Sequence, residues 1–105
     1  MKRTDFSWKT GEVDYWDLDS IEEDEPLNRQ SENLKEDLAQ IRYQDGTLLD
    51  IGWFPSFDPS GEFIVTVVSK ENWQSPIFYA TAKDISELRQ QVSNGIAAIE
   101  LANRQ

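Results

Sequence analysis

The carboxylate side chains near the start of the chain are the groups best placed by number and spacing to do chemistry. The stretch from Thr10 to Asn28 holds eight of them and no Lys or Arg. Carboxylates act as general acids and bases, ligate hard cations, or attract a basic partner. The eight acids therefore suggest three classes of protein: a hydrolase, a cation-binding protein, or a protein that binds something basic.

The remaining composition argues against the first two classes. The chain contains no His and no Cys, so the commonest general bases, thiol nucleophiles and soft-metal ligands are missing. A calcium loop needs a Gly turn and a distal Glu at fixed spacing, and the acidic run has no Gly after Gly11. With 20 Asp and Glu residues, a pair at glycosidase separation is expected by chance. No Ser-x-x-Lys pattern and no glycine-rich phosphate loop occurs. We predict no catalytic residue, no metal and no cofactor.

Net charge indicates the kind of partner. A formal charge of −10 repels nucleic acid and anionic membranes and attracts a basic protein. No segment approaches the ~20 apolar residues of a membrane span, and the absence of Cys favours a reducing compartment. We therefore expect a cytoplasmic protein that binds a basic protein, without direct contact to nucleic acid or membrane.

One aromatic pair, Tyr15-Trp16, lies inside the acidic run. Aromatic side chains are frequent anchors of interfaces, where surrounding charges steer and orient the partner. Alternatively, both rings belong to the core of an N-terminal strand, or one ring is buried and the other exposed. On the first interpretation the predicted partner-binding residues are Asp14, Tyr15, Trp16, Asp17, Asp19, Glu22, Glu23 and Asp24.

The second half of the chain shows the patterns of strands. Leu48 to Phe54 alternates, Phe63 to Val68 is a β-branched run, and Ile77 to Thr81 is similar. The turn residues 55–62 predict an antiparallel hairpin in which Gly61 can take a positive φ. A further short strand is expected around Val13 to Leu18.

Two helices are predicted. Asp84 and Glu87 form a capping-box pattern before an apolar stripe of Ile85, Leu88, Val92, Ile96, Ile99 and Ala102. Gly95, within that stripe, is expected to allow close packing against a strand. Leu34, Leu38 and Ile41 have helical spacing and predict a shorter helix.

These elements predict a single α+β domain over residues 1–105. It consists of an acidic, aromatic-containing N-terminal segment (1–30), a short helix (31–43), antiparallel strands (47–82) and a C-terminal helix (84–103). The strands are expected to form a small meander of three or four, with the C-terminal helix packed on one face.

Three segments of the second half also carry a family resemblance. They are Leu49-Asp50-Ile51-Gly52-Trp53-Phe54-Pro55, Asp58-Pro59-Ser60-Gly61-Glu62-Phe63 and Trp73-Gln74-Ser75-Pro76, followed by the closing helix. Together, over roughly residues 48–105, they resemble immunity proteins of bacterial contact-dependent growth inhibition systems. The resemblance implies a cytosolic antitoxin that binds and blocks a delivered toxin domain, often a nuclease. Members differ with their cognate toxin, so no interface residue is transferred.

The functional hypothesis is an immunity protein that covers the substrate groove of a basic toxin, an RNase or a DNase. The alternative is an acidic nucleic-acid mimic or adaptor that binds another basic host or phage protein. A carboxylate-dependent hydrolase is a second alternative, from another class. An immunity gene should directly follow a large toxin gene, which distinguishes the first hypothesis from the second.

Overall fold

A five-stranded antiparallel sheet and one long helix make up the fold in the computed structural model, which describes residues 1–103. The strands are β1 (Glu12–Trp16), β2 (Ala39–Arg42), β3 (Thr47–Phe54), β4 (Glu62–Ser69) and β5 (Phe78–Ala82), and the helix is α1 (Ile85–Asn103). Short 3-10 turns occupy Arg3–Asp5, Leu18–Ser20, Leu27–Arg29 and Ser31–Asn33. The spatial order of the strands is their chain order, which makes the sheet a meander. The α+β class, the meander and the C-terminal helix are confirmed.

Two parts of the predicted fold are wrong: the strand count is five, and the helix over residues 31–43 does not form. That segment is a single 3-10 turn followed by β2, which pairs with β1 on one side and β3 on the other. An isolated helix of this length is marginal, whereas a central strand has hydrogen-bonding partners on both sides. Leu34, Leu38 and Ile41 are buried as the spacing suggested, but Leu34 and Leu38 lie in the irregular stretch between the turn and β2, and Ile41 lies in β2.

One face of the sheet holds the core. Its strands contribute alternating buried side chains, and α1 packs over β4 and β5. Four of the stripe residues of α1 are buried, whereas Ala102 is exposed. An ideal Cβ on Gly95 would lie 3.4 Å from Leu49 Cδ1 and 3.5 Å from the ring of Phe78. Gly95 therefore lies close to the sheet as predicted, but an added Cβ would make only ordinary van der Waals contact, so the packing does not require glycine.

The opposite face of the sheet, here called the open sheet face, has no helix over it in the part of the chain described. Side chains alternate between faces along a strand, so the register places every second residue there. Its members on β3, β4 and β5 are Leu48, Asp50, Gly52, Phe54, Glu62, Ile64, Thr66, Val68, Tyr79 and Thr81. Val68 is fully buried yet lies outside the core cluster, which supports the assignment of the two faces.

Local contacts fix the start of α1 and the connection between β3 and β4. Asp84 Oδ1 accepts the Glu87 backbone N–H at 2.8 Å, as the capping pattern predicted. Glu87 accepts in return from the Lys83 N–H at 2.7 Å. In the β3–β4 connection the positive φ falls on Phe57, at 64°, and not on Gly61. Gly61 is required for space instead, because a Cβ there would lie 2.6 Å from the Phe54 carbonyl oxygen.

Candidate functional site

The predicted partner-binding residues are divided by the fold between two regions of the surface. Four of them line one surface depression of about 380 Å³, which we call the acidic depression: Asp19, Glu22, Glu23 and Asp24, together with Met1, Lys2 and Ile21. Asp14, Tyr15 and Trp16 lie instead on β1, the edge strand of the sheet, and Asp17 follows directly after it.

Tyr15 and Trp16 face opposite sides of the sheet. Tyr15 lies opposite Gln40, on the side of the open sheet face, and is 42% exposed. Trp16 lies opposite Ala39 and is packed against the core, with its ring 5.7 Å from that of Trp8. Its indole N–H donates to the Met1 carbonyl oxygen at 3.1 Å and to Asp19 Oδ1 at 3.0 Å. Of the three arrangements considered from sequence, the structure is nearest to the mixed one: Trp16 is partly buried against the core and Tyr15 is exposed.

Within residues 1–103, half of the eight carboxylates between Thr10 and Asn28 form ion pairs. Glu12 and Asp14 both contact Arg42, the latter with 2.8 Å between Nε and Oδ2, and Asp17 pairs with Lys35. Glu23 contacts Arg89 at 2.8 Å and the amino group of Met1 at 3.0 Å, and these hydrogen bonds lower the pKa of its carboxyl. These pairs link distant parts of the chain, so part of the acidic surplus already has an internal partner.

The acidic depression keeps carboxylates without an ion pair. Within residues 1–103, no Lys or Arg nitrogen lies within 4.0 Å of Asp19, Glu22 or Asp24. The loop that carries them is fixed by Gln30, a residue that sequence reasoning missed. The Gln30 side chain is 5% exposed; it accepts from the Glu22 N–H at 2.8 Å and donates to the Glu22 and Glu25 carbonyl oxygens. A buried amide with several hydrogen bonds holds the backbone of the loop in one conformation.

A second acidic group, also missed from sequence, lies on the open sheet face. Asp50 and Glu36 line a pocket of about 150 Å³ together with Gly52, Trp53, Phe54 and Ile64. The Asp50 carboxylate is half-buried and accepts one hydrogen bond, from Gln40 Nε2 at 3.1 Å. Burial raises the pKa of the Asp50 carboxyl, and the charges of Asp37 and Glu36 raise it further. Alternation within β3 could have placed Asp50 opposite the core, but its acidic neighbours Glu36 and Asp37 come from the irregular segment before β2, which no pattern predicted.

The structure also bears on metal binding, on the one buried phenol and on membrane insertion. Among residues 1–103, no group of three or more His, Cys, Asp or Glu side chains is placed to hold a metal ion. The one buried phenol, Tyr43, has its pKa raised to about 12 by burial and remains protonated at neutral pH. Over the same residues, no helix has the length and apolar character needed to cross a membrane.

Comparisons of the chain with protein-family models, with curated proteins and with solved structures found no match. Function is therefore inferred from the geometry and charge of this chain.

Proposed function

We propose that this protein is an immunity protein, an antitoxin that binds a basic toxin domain and blocks its active surface. The observation that carries the proposal is the acidic depression. Four carboxylates from a stretch without Lys or Arg lie on one concave surface, and only Glu23 among them is ion-paired in residues 1–103. A depression of this charge fits a protruding basic surface.

A nuclease is the class of toxin that this charge fits best. Enzymes that bind nucleic acid carry Lys and Arg along their substrate groove to contact phosphates. An acidic protein can occupy such a groove in place of the substrate, and its overall charge of −10 attracts the partner before contact. The resemblance of residues 48–105 to immunity proteins supports the same class.

The direct test is to co-express the protein with the product of the gene immediately upstream and to purify the complex. We expect the two products to co-purify and the protein to protect cells from the upstream product. Failure of the upstream product to bind contradicts the proposal. Capture of a different basic protein in its place would favour the nucleic-acid mimic or adaptor.

Two charge-reversal variants test the location of the interface. Glu22→Lys with Asp24→Lys changes exposed residues of the acidic depression that form no ion pair in residues 1–103. Glu32→Lys with Glu71→Lys makes the same change in net charge at exposed positions outside the depression. Both variants lower the net negative charge equally and should associate more slowly than the parent, and we expect the first to bind about tenfold more weakly than the second because its changes also lie at the contact. Equal weakening would mean that only net charge matters.

A further inference from the structure

Asp50 differs from the other carboxylates of the sheet in its lack of a cation. Glu12 and Asp14 on β1 pair with Arg42, and Glu62 on β4 pairs with Lys83 at 3.7 Å. Asp50 lies on the central strand and is more enclosed than these, yet no Lys or Arg nitrogen of residues 1–103 lies within 4.0 Å. A partly buried carboxylate is costly to ionise without a partner charge.

The groups around Asp50 increase this cost. On the flanking strands it lies opposite Gln40 and Thr66, which carry no charge. The charged groups that act on its carboxyl are Asp37 and Glu36, and both are acidic. The backbone of Glu36 crosses directly over β3, since a Cβ on Gly52 would lie 1.8 Å from the Glu36 carbonyl oxygen. Gly52 therefore permits the Glu36 backbone to cross over β3 beside Asp50.

The surface beside this pocket is apolar and aromatic. Phe54 and Ile64 line the pocket itself, and Tyr79 lies on the same face, one strand further on. Phe54 and Tyr79 are each 59% exposed, although aromatic side chains on a sheet are usually covered. Aromatic side chains, together with arginine, are enriched among the central residues of protein interfaces.

We propose that the open sheet face is a second contact surface for the basic protein partner, which inserts one arginine side chain between Asp50 and Phe54, beside the acidic segment of Glu36 and Asp37. This inference rests on the proposed function and deepens it. A guanidinium group is planar, so it can donate to carboxylates at its edge while its face stacks on an aromatic ring. Lys offers a point charge and lacks the planar face, which is why the pocket fits Arg better.

The inference can be tested without the toxin by NMR titration of the ¹⁵N-labelled protein with the peptide acetyl-Leu-Arg-Leu-amide. We expect saturable shifts of the Gly52, Phe54 and Ile64 amides at millimolar peptide, and none with the citrulline analogue, which has the same shape without the charge. Asp50→Asn should weaken binding about tenfold, because a charge-assisted hydrogen bond becomes a neutral one. The matched control Glu32→Gln removes an exposed carboxylate outside the sheet and should bind as the parent.

The contrary outcomes are distinct. Saturable shifts confined to the acidic depression, equal binding by Asp50→Asn and the parent, or no saturable shift would each overturn the inference. If the upstream product binds, Asp50→Asn should also raise its dissociation rate about tenfold, because buried charge pairs act mainly on residence time. An unchanged rate in that complex refutes the arginine pocket and leaves the immunity function standing. Absence of any upstream partner refutes the function, and the peptide titration still decides the pocket.

Discussion

The role of each carboxylate in this protein depends on whether a cation reaches it. Asp17 is placed by Lys35, and its backbone N–H also donates to the Leu38 carbonyl oxygen at 2.7 Å, so it joins β1 to the segment before β2. Within residues 1–103, the side chains of Glu22 and Asp24 form neither an ion pair nor a hydrogen bond, and they remain available to a partner. Reversal of charge at Asp17 or Glu23 would therefore break internal ion pairs and mix stability with binding.

The raised pKa of Asp50 gives a prediction for stability. Because the pKa in the folded state exceeds 3.8, the folded protein holds this proton more tightly than the unfolded chain. Stability therefore falls as pH rises from the unfolded pKa through the folded one, and the penalty persists at neutral pH. We expect Asp50→Asn to be more stable than the parent at pH 7, with the difference lost below about pH 3.8. Urea unfolding at both pH values measures this.

Asp58 is a control for this prediction, because the pKa of its carboxyl is shifted in the opposite direction. Its carboxylate accepts from the hydroxyl and backbone N–H of Ser60, which lowers the pKa of the Asp58 carboxyl. Stability from this group is present above the unfolded pKa and is lost as pH falls through the folded one. Asp58→Asn should therefore be less stable than the parent at pH 7. A loss of stability at pH 7 in Asp50→Asn as well would contradict the account of Asp50.

Sequence reasoning found the acids of the site but not their partners. The surplus between Thr10 and Asn28 and the pair Tyr15-Trp16 are visible in composition alone. The ion pair of Asp14 with Arg42 joins residues 28 apart, and that of Glu23 with Arg89 joins residues 66 apart. Only the sheet register and the position of α1 bring these groups together, so no local pattern contains the information.

At the scale of elements, the local signals of α1 and of β2 differed in strength. The helix has an N-cap, a continuous apolar stripe and 19 residues, and each of these favours the same conformation. The β2 segment has four residues, and the alternation of buried Ala39 and Ile41 with Gln40 and Arg42 is too short to compete with the helical spacing upstream. Its strand conformation is fixed by its two neighbours, which are distant in sequence.

Substitutions in α1 test its packing. Leu88 is fully buried, so Leu88→Ala should lower the free energy of unfolding by about 2–5 kcal/mol through lost transfer energy and a residual cavity. Leu101 is 62% exposed on the same helix, and Leu101→Ala should change stability by about 0.5 kcal/mol or less. Urea denaturation of both variants gives the comparison. Equal effects would mean that the helix does not pack on the sheet through the predicted stripe.

At the scale of the whole molecule, the net charge of −10 acts over distances longer than any contact. As ionic strength rises from about 0.1 to 1 M, the Debye length falls from about 10 to 3 Å and most of this attraction is screened. We expect the association rate constant with the basic partner to fall at least severalfold, with a smaller change in dissociation. Stopped-flow measurements at the two ionic strengths test this, and a salt-independent association rate would show that steering is absent.

The net negative charge also affects colloidal stability, because the outer edge of β5 could pair with another copy of the protein. β5 ends the sheet, and Phe78-Tyr79-Ala80-Thr81-Ala82 contains no charged residue or proline, the usual protections against pairing between copies. Mutual repulsion keeps such edges apart at neutral pH and disappears near the isoelectric point of about 4.3. A basic partner that neutralises the protein removes the same repulsion, so the complex must cover this edge or carry enough residual charge to stay dispersed.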